Sequence, residues 1–402
     1  MVQSVAVIGG GAAGFFAAIS AKTHHPNAHV ELIEKSNKYL SKVKVSGGGR
    51  CNVTHACFSP SALSKHYPRG EKALKKAFHI FQVQDTIDWF TTRGVQLKTE
   101  SDNRIFPVSD DSESIIQCLL GETQKLRIPI HSRQAIEEIQ PIPGGFNLNG
   151  KWFDKVIVAT GGSSKLSGFD WLSALGHNII PPVPSLFTFN IPGELLTQLQ
   201  GVVAPNANIR IQGTKIIESG PILITHWGLS GPAVLKCSAW GARVLADFNY
   251  QFQVQVNWVG IRNEVEAHKH LDANWENIRR KKLSNACPFD LPKALWLHLI
   301  QKVGLPDELP WQEVGRTFRN KVINALLNDV YNVSGKTTFK EEFVTCGGVD
   351  LAEVNFSTME SKMVPGLYFA GEVLDIDGVT GGFNFQAAWT TGFIAGKLAS
   401  TT

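Results

Sequence analysis

The residues best placed to do chemistry in this 402-residue chain stand beside glycine. Gly9, Gly11 and Gly14 make a G-x-G-x-x-G pattern with Ala12 and Ala13 inside it, and Glu34-Lys35 follows about 20 positions later. In that pattern the first glycine permits a tight turn, the second lets a pyrophosphate approach the backbone, and the third lets a helix pack on a strand. Freed amides and the positive helix end favour a diphosphate, and Glu34 is placed to accept hydrogen bonds from an adenosine ribose. A second cluster, Ser46-Gly47-Gly48-Gly49-Arg50-Cys51-Asn52, offers donors to an anionic or heteroaromatic group, with a plain surface turn as the alternative. Thr160-Gly161-Gly162 is a third, and a fourth runs from Gly371-Glu372 to Gly381-Gly382-Phe383-Asn384-Phe385. No second G-x-G-x-x-G follows a strand, so the distant clusters imply one large dinucleotide, FAD, clasped from several directions.

Each cluster needs an element to hold it. Residues 4–8 form an apolar strand ahead of the first glycines, 15–23 a helix, and 29–33 a second strand ending at Glu34. Residues 128–139, which include Ala135, and 146–152 read as strands, and 155–159 as a buried strand that delivers Thr160 and Gly161. Residues 366–372 form a last strand and 387–399 a helix. Strand, glycine turn and helix in this order predict an α/β, Rossmann-like domain with its ligand at the carboxyl ends of the strands. From about Phe187 the texture changes: short alternating segments at 188–191, 208–212, 215–218, 222–225 and 250–258 suggest a small β-barrel or sandwich. Helical spacing then occupies 262–303 and 311–330, with Trp275, Ile278, Trp296, Leu299 and Ile300 on buried faces. The expected organisation is a nucleotide domain at 1–188 and 341–402, interrupted by a barrel-like insert at 189–258 and a helical part at 259–340.

Composition sets limits on function. With 18% charged and 43% hydrophobic residues the chain has the make-up of a soluble globular protein. A net charge of +4 without a run of five basic residues gives no electrostatic footprint for nucleic acid. No apolar stretch reaches the roughly 18 residues of a membrane span. The first strand starts so near Met1 that no signal peptide fits, which points to the cytoplasm. Six scattered cysteines without a C-x-x-C pair indicate neither zinc nor a disulfide scaffold. Cys51 and Cys57 allow a redox disulfide, a free thiol near the cofactor, or simple packing. In Thr225-His226-Trp227-Gly228-Leu229-Ser230-Gly231-Pro232, Ser230 is placed to cap a helix opened by Pro232. His226 is a candidate catalytic proton carrier, or a residue that only orders its loop.

Five ordered motifs then give a family likeness: S-G-G-G-R-C-N at 46–52, A-T-G-G at 159–162, T-H-W-G-L-S-G-P-A at 225–233, T-C-G-G-V at 345–349, and the run from Gly366 to Asn384. In these the chain resembles the bacterial aminoacetone-oxidase-like, or BaiN-like, FAD-dependent flavoproteins, over nearly its whole length. It departs from them at Ser41, where glycine is common before the lysine matching Lys42, and at Phe383, where tyrosine is common. The resemblance implies a glutathione-reductase-type FAD fold, with Glu372 toward the ribityl chain and the helix amides at 384–386 toward the flavin pyrimidine. The cofactor contacts expected are Gly9, Gly11, Ala12, Ala13, Gly14, Glu34, Lys35, Lys42, Gly48, Arg50, Cys51, Asn52, Ala135, Thr160, Gly161, Gly371, Glu372, Gly382, Phe383, Asn384 and Phe385, with no metal. The expected activity is oxidation or reduction of a small organic substrate at a flavin lying between nucleotide domain and insert. Either an amine or aminoketone is oxidised with oxygen as acceptor, or NAD(P)H drives reduction of an unsaturated substrate. A non-catalytic flavin-holding sensor or scaffold is the alternative from another class.

Overall fold

A computed structural model describes residues 4–338 and 344–399. The expected boundary at 340/341 therefore lies outside the described residues. By its internal contacts the chain divides into two compact units, Met1–Ser185 with Lys340–Thr402, and Leu186–Phe339.

The first unit is built on a seven-stranded sheet in which β1 (Ser4–Ile8), β2 (His29–Ile33), β3 (Lys155–Val158) and β4 (Leu367–Phe369) run parallel in the order β4-β3-β1-β2. Beyond β2 lies Ile130–His131, and beyond β4 two short antiparallel strands. The middle strands read as continuous apolar runs because helices and loops cover both faces of a parallel sheet; Val5, Ala6, Val7, Val156, Ile157 and Val158 are fully buried. Helix α1 (Ala12–His24) follows β1, and helix α2 (Phe383–Gly396) returns from the far end of the chain to pack on it. That crossing is backbone to backbone: a Cβ on Gly392 would lie 2.5 Å from the Ala13 carbonyl oxygen, and one on Gly396 2.5 Å from that of Ala17. α2 begins four residues earlier than periodicity suggests. Residues 128–139 do not form one strand. Only Ile130–His131 pairs with β2, and a separate three-stranded meander spans Gln140–Ile142, Gly145–Leu148 and Lys151–Phe153.

The second unit carries its own sheet, whose central hairpin, Val203–Ile211 with Ile217–Ile224, has longer strands than the sequence suggests and joins the two segments expected at 215–218 and 222–225 into one. Residues 329–337 close it into a ring, pairing with Gln251–Asn257 through their first part and with Thr188–Asn190 through Lys336–Thr337. Helices Glu264–Ile278, Lys293–Lys302 and Arg316–Leu327 pack with this sheet in one apolar core. Its centre is aromatic. Trp296 and Trp311 stack with centroids 5.9 Å apart, and their indole N–H groups donate to the Leu283 and Ala286 carbonyls. Trp258 donates to Asp329, which also accepts from Lys302 and Tyr331. Ile278, Leu299 and Ile300 are buried as expected, whereas Trp275 is only half-buried under the Arg319 guanidinium. Ser230 caps nothing. Gly231, at φ +92°, stands at the cap of the helix Pro232–Asp247, and the Ser230 hydroxyl bonds Thr188 Oγ1 at 3.0 Å.

Candidate active site

Four strand ends bring the glycine clusters of the first unit together. Gly9 follows β1 at φ +114°, and a Cβ there would stand 2.3 Å from the Ala159 carbonyl, so the phosphate turn lies directly on the end of β3. Gly14 is closer still, since its Cβ would meet the Gly9 oxygen at 1.8 Å. Gly11 faces open space. It caps α1 without a side chain, so the amides of Ala12, Ala13 and Gly14 have no partner inside the helix. After β4, Gly371 takes φ +74° and its Cβ would press on that of Ala13. A Cβ on Gly161 would lie 4.0 Å from Glu372 Oε2. First, third and fourth clusters therefore converge on the amino end of α1.

Carboxylates define the two ends of this cradle. Glu34 accepts from the Gly10 amide at 2.7 Å and the Ser36 amide at 2.8 Å, so it shapes the glycine turn. The Gln134 amide donates to the Glu34 carbonyl, setting exposed Ala135 beside Glu34-Lys35, while the Ala135 carbonyl accepts from Asn149. At the other end Lys42 Nζ pairs with Glu372 Oε2 at 2.5 Å, linking residues 330 positions apart. These open glycines, unpartnered amides and flanking carboxylates fit a dinucleotide of the length of FAD.

Over residues 3–398 the chain matches the family described as HI0933-like protein Rossmann domain. The chain belongs to that family. It is 26% identical over 411 residues to a 3-dehydro-bile acid delta(4,6)-reductase of Clostridium scindens, with 99% of each chain covered. It is 30% identical over 399 residues to a ribosomal RNA dihydrouridine synthase of Escherichia coli, covering 96% of this chain and 95% of that one. The open conformation of a flavocytochrome c3 fumarate reductase shares its fold, with a TM-score of 0.51 at 15% identity, covering 98% of this chain and 78% of that one. This HI0933-like chain is an FAD-dependent oxidoreductase. Among its described residues no helix is long and apolar enough to cross a membrane, and no group of three His, Cys, Asp or Glu side chains could hold a metal.

The second cluster of this HI0933-like flavoprotein divides its labour. Gly47, Gly48 and Gly49 all have positive φ, and a Cβ on Gly48 or Gly49 would meet nothing. Arg50 turns its donors elsewhere, bonding Glu100 and Asp110 with its guanidinium 4.0 Å over the Phe106 ring. Cys51 is fully buried at φ +61°, and burial pushes its thiol up to about 12, so it packs rather than reacts. All six cysteines are free thiols, which removes the Cys51–Cys57 disulfide. Asn52 reaches the fourth cluster. In the amide orientation that satisfies both groups, its oxygen accepts from the Gly382 amide and its nitrogen donates to the Thr54 carbonyl.

At the start of α2 the Asn384 side chain is spent on Gly378, accepting from its amide at 2.7 Å and donating to its carbonyl at 3.0 Å. Phe383 is buried and stacks with two imidazoles, His55 at 4.5 Å and His66 at 4.3 Å between centroids, which are themselves 6.1 Å apart, and its carbonyl accepts from the Tyr67 hydroxyl. Arg69 holds buried Asp377 with both arms, and the Ser185 hydroxyl donates to the same carboxylate at 2.6 Å. Sequence reasoning missed His55, His66, Tyr67, Arg69 and Asp377. Partners 308 to 326 positions apart leave no spacing signal, although His66-Tyr67-Pro68-Arg69 is a dense run of polar and aromatic side chains. His226 lies in the second unit, exposed with Trp227 at the tip of a tight hairpin closed by Thr225 and Gly228.

Proposed function

We propose that this flavoprotein reduces a carbon–carbon double bond conjugated to a carbonyl group, with a nicotinamide dinucleotide as electron source. The observation that carries the reading is whole-length similarity to two proteins named for such a reduction. A 3-dehydro-delta(4,6) bile acid places its double bonds next to the 3-oxo group, and dihydrouridine is uridine reduced beside the uracil carbonyl. Bound FAD supplies the two-electron chemistry.

The chain's own residues bind and orient the group. The amides of Ala12, Ala13 and Gly14 take the diphosphate at the positive end of α1, and Glu34 takes the adenosine ribose without releasing Gly10. Glu372 takes the ribityl chain beside Lys42. The first amides of α2, at Phe383, Asn384 and Phe385, favour negative charge at the pyrimidine edge. Anaerobic titration tests the reading. NADH or NADPH should bleach the flavin, and a 3-oxo-4-ene steroid or a uridine-containing oligonucleotide should restore its colour, the one that does so identifying the substrate class. Bleaching by aminoacetone with recovery only in oxygen would replace the reading with amine oxidation, and no bleaching by any donor would leave a flavin-holding sensor.

A further inference from the structure

A helix end can favour charge on a ligand only if it is held in one place, and a buried polar network holds the start of α2. Gln386 is the fourth residue of that helix, and its amide makes the first intrahelical bond, to the Gly382 carbonyl at 3.0 Å. The amides of Phe383, Asn384 and Phe385 therefore have no partner inside the helix. The Gln386 side chain is fully buried, as are Thr54, Thr86 and Thr390 around it. Its Oε1 accepts from the Thr54 hydroxyl at 2.6 Å and from the Thr86 hydroxyl at 3.0 Å, and its Nε2 donates to Thr390 Oγ1 at 3.0 Å. The Thr390 hydroxyl spends its one hydrogen on the Phe81 carbonyl, so toward Gln386 it can only accept. That fixes which end of the carboxamide faces which threonine.

The contacts continue along one face of α2. Gly382, Gln386 and Trp389 recur at helical spacing and meet three consecutive residues: Asn52 accepts from the Gly382 amide, Thr54 donates to Gln386, and the Trp389 indole donates to the Val53 carbonyl at 2.9 Å. The segment that follows the second glycine cluster is thus fastened to the helix end. An apolar side chain would fill the same space without burying a polar group, whereas a satisfied buried network admits a single arrangement. We propose that Gln386 is a positioning residue for the cofactor: its carboxamide holds the three free amides of α2 where they favour the negative charge of the reduced flavin, and its neutrality keeps that helix end positive. It touches no reacting atom. The inference rests on the placement of the flavin pyrimidine at α2 proposed above, and it is independent of the substrate.

Equilibrium reduction against a reference dye tests it, on FAD-loaded protein with no substrate present. In Gln386→Leu, close in volume but unable to bond the three threonines, the ratio of reduced to oxidised flavin at a given dye poise should fall about tenfold. Gln386→Glu keeps the shape and adds a negative charge beside the amide end, so its ratio should fall further. Thr86→Val removes one donor and should give a smaller fall in the same direction, which carries the test if Gln386→Leu does not fold. Parental ratios with only a lowered urea midpoint would make the network plain packing and overturn the assignment, as would a ratio that rises in Gln386→Glu. Failure of the reductase reading shows elsewhere, as a flavin that neither NADH nor NADPH bleaches or that no conjugated acceptor reoxidises, and leaves these ratios unmoved.

Discussion

The two units solve the problem of making a core in opposite ways. In the Rossmann unit the critical contacts are backbone against backbone, with Gly9 on Ala159, Gly14 on Gly9, and Gly392 on Ala13, and the missing side chains are what allow the ligand turn to form. In the inserted unit the critical contacts are between the largest side chains, with Trp258, Trp296 and Trp311 all buried and each indole N–H satisfied. One region is specified by what it lacks, the other by what it fills. The contrast explains why glycine placement pointed to a cofactor while the tryptophans pointed to nothing beyond packing.

Substitutions sharpen that contrast. Gly14→Ala should be the most damaging change in the Rossmann unit, because its methyl group would stand 1.8 Å from a carbonyl oxygen that cannot move without opening the phosphate turn. A loss of about 4 kcal/mol or more, with colourless protein on purification, is expected; normal FAD content would break the backbone-contact account. In the insert, Trp311→Ala should cost about 3–5 kcal/mol in urea denaturation, through the cavity and the stranded Ala286 carbonyl. Glu34→Ala removes the acceptor of two amides and, on the proposed reading, of the adenosine ribose, and should weaken FAD by about 2 kcal/mol, roughly thirtyfold in dissociation constant, as read by flavin fluorescence on dilution. Gly48→Ala has room for its methyl but keeps φ +70°, so about 1 kcal/mol of stability is expected. A Gly48→Ala loss as large as that of Gly14→Ala would show that the second cluster is packed rather than strained.

The smallest effect is electrostatic. Glu31 is buried on β2 among His29, His131 and Lys151. Burial raises its pKa, but the bonds to Lys151 and His29 outweigh it, and the carboxyl titrates below the ordinary range. A depressed carboxyl contributes stability above its unfolded pKa of about 4.3 and loses it as pH falls through the lower folded value. Urea midpoints should therefore drop more between pH 6 and pH 3.5 in the parent than in Glu31→Gln. Equal drops would remove Glu31 from the acid sensitivity.

Local sequence was enough for β1, α1 and β2, because the glycine pattern and apolar runs lie within one βαβ stretch whose spacing is set by the turn itself. It was enough, too, for β3 ahead of Thr160, but the last strand is shorter than the expected 366–372: it ends at Phe369, and Glu372 lies in a single 3-10 turn at Gly371–Val373. It failed at 128–139, where two residues pair and the rest is loop, since a short run cannot declare whether a neighbour awaits it. It also failed at Ser230, where Gly231, at φ +92°, took the cap; Arg50 sends its donors to carboxylates 50 and 60 residues away, a pairing that no local pattern announces.

What the sequence determined by itself was a dinucleotide turn and a set of glycines that must lie against something, because steric permission is written residue by residue. Only the tertiary structure decided what they lie against. Lys42 meets Glu372, Asn52 meets Gly382, and His55 and His66 close on Phe383 because a parallel sheet gathers distant strand ends on one edge, and that gathering leaves no period or spacing in the chain.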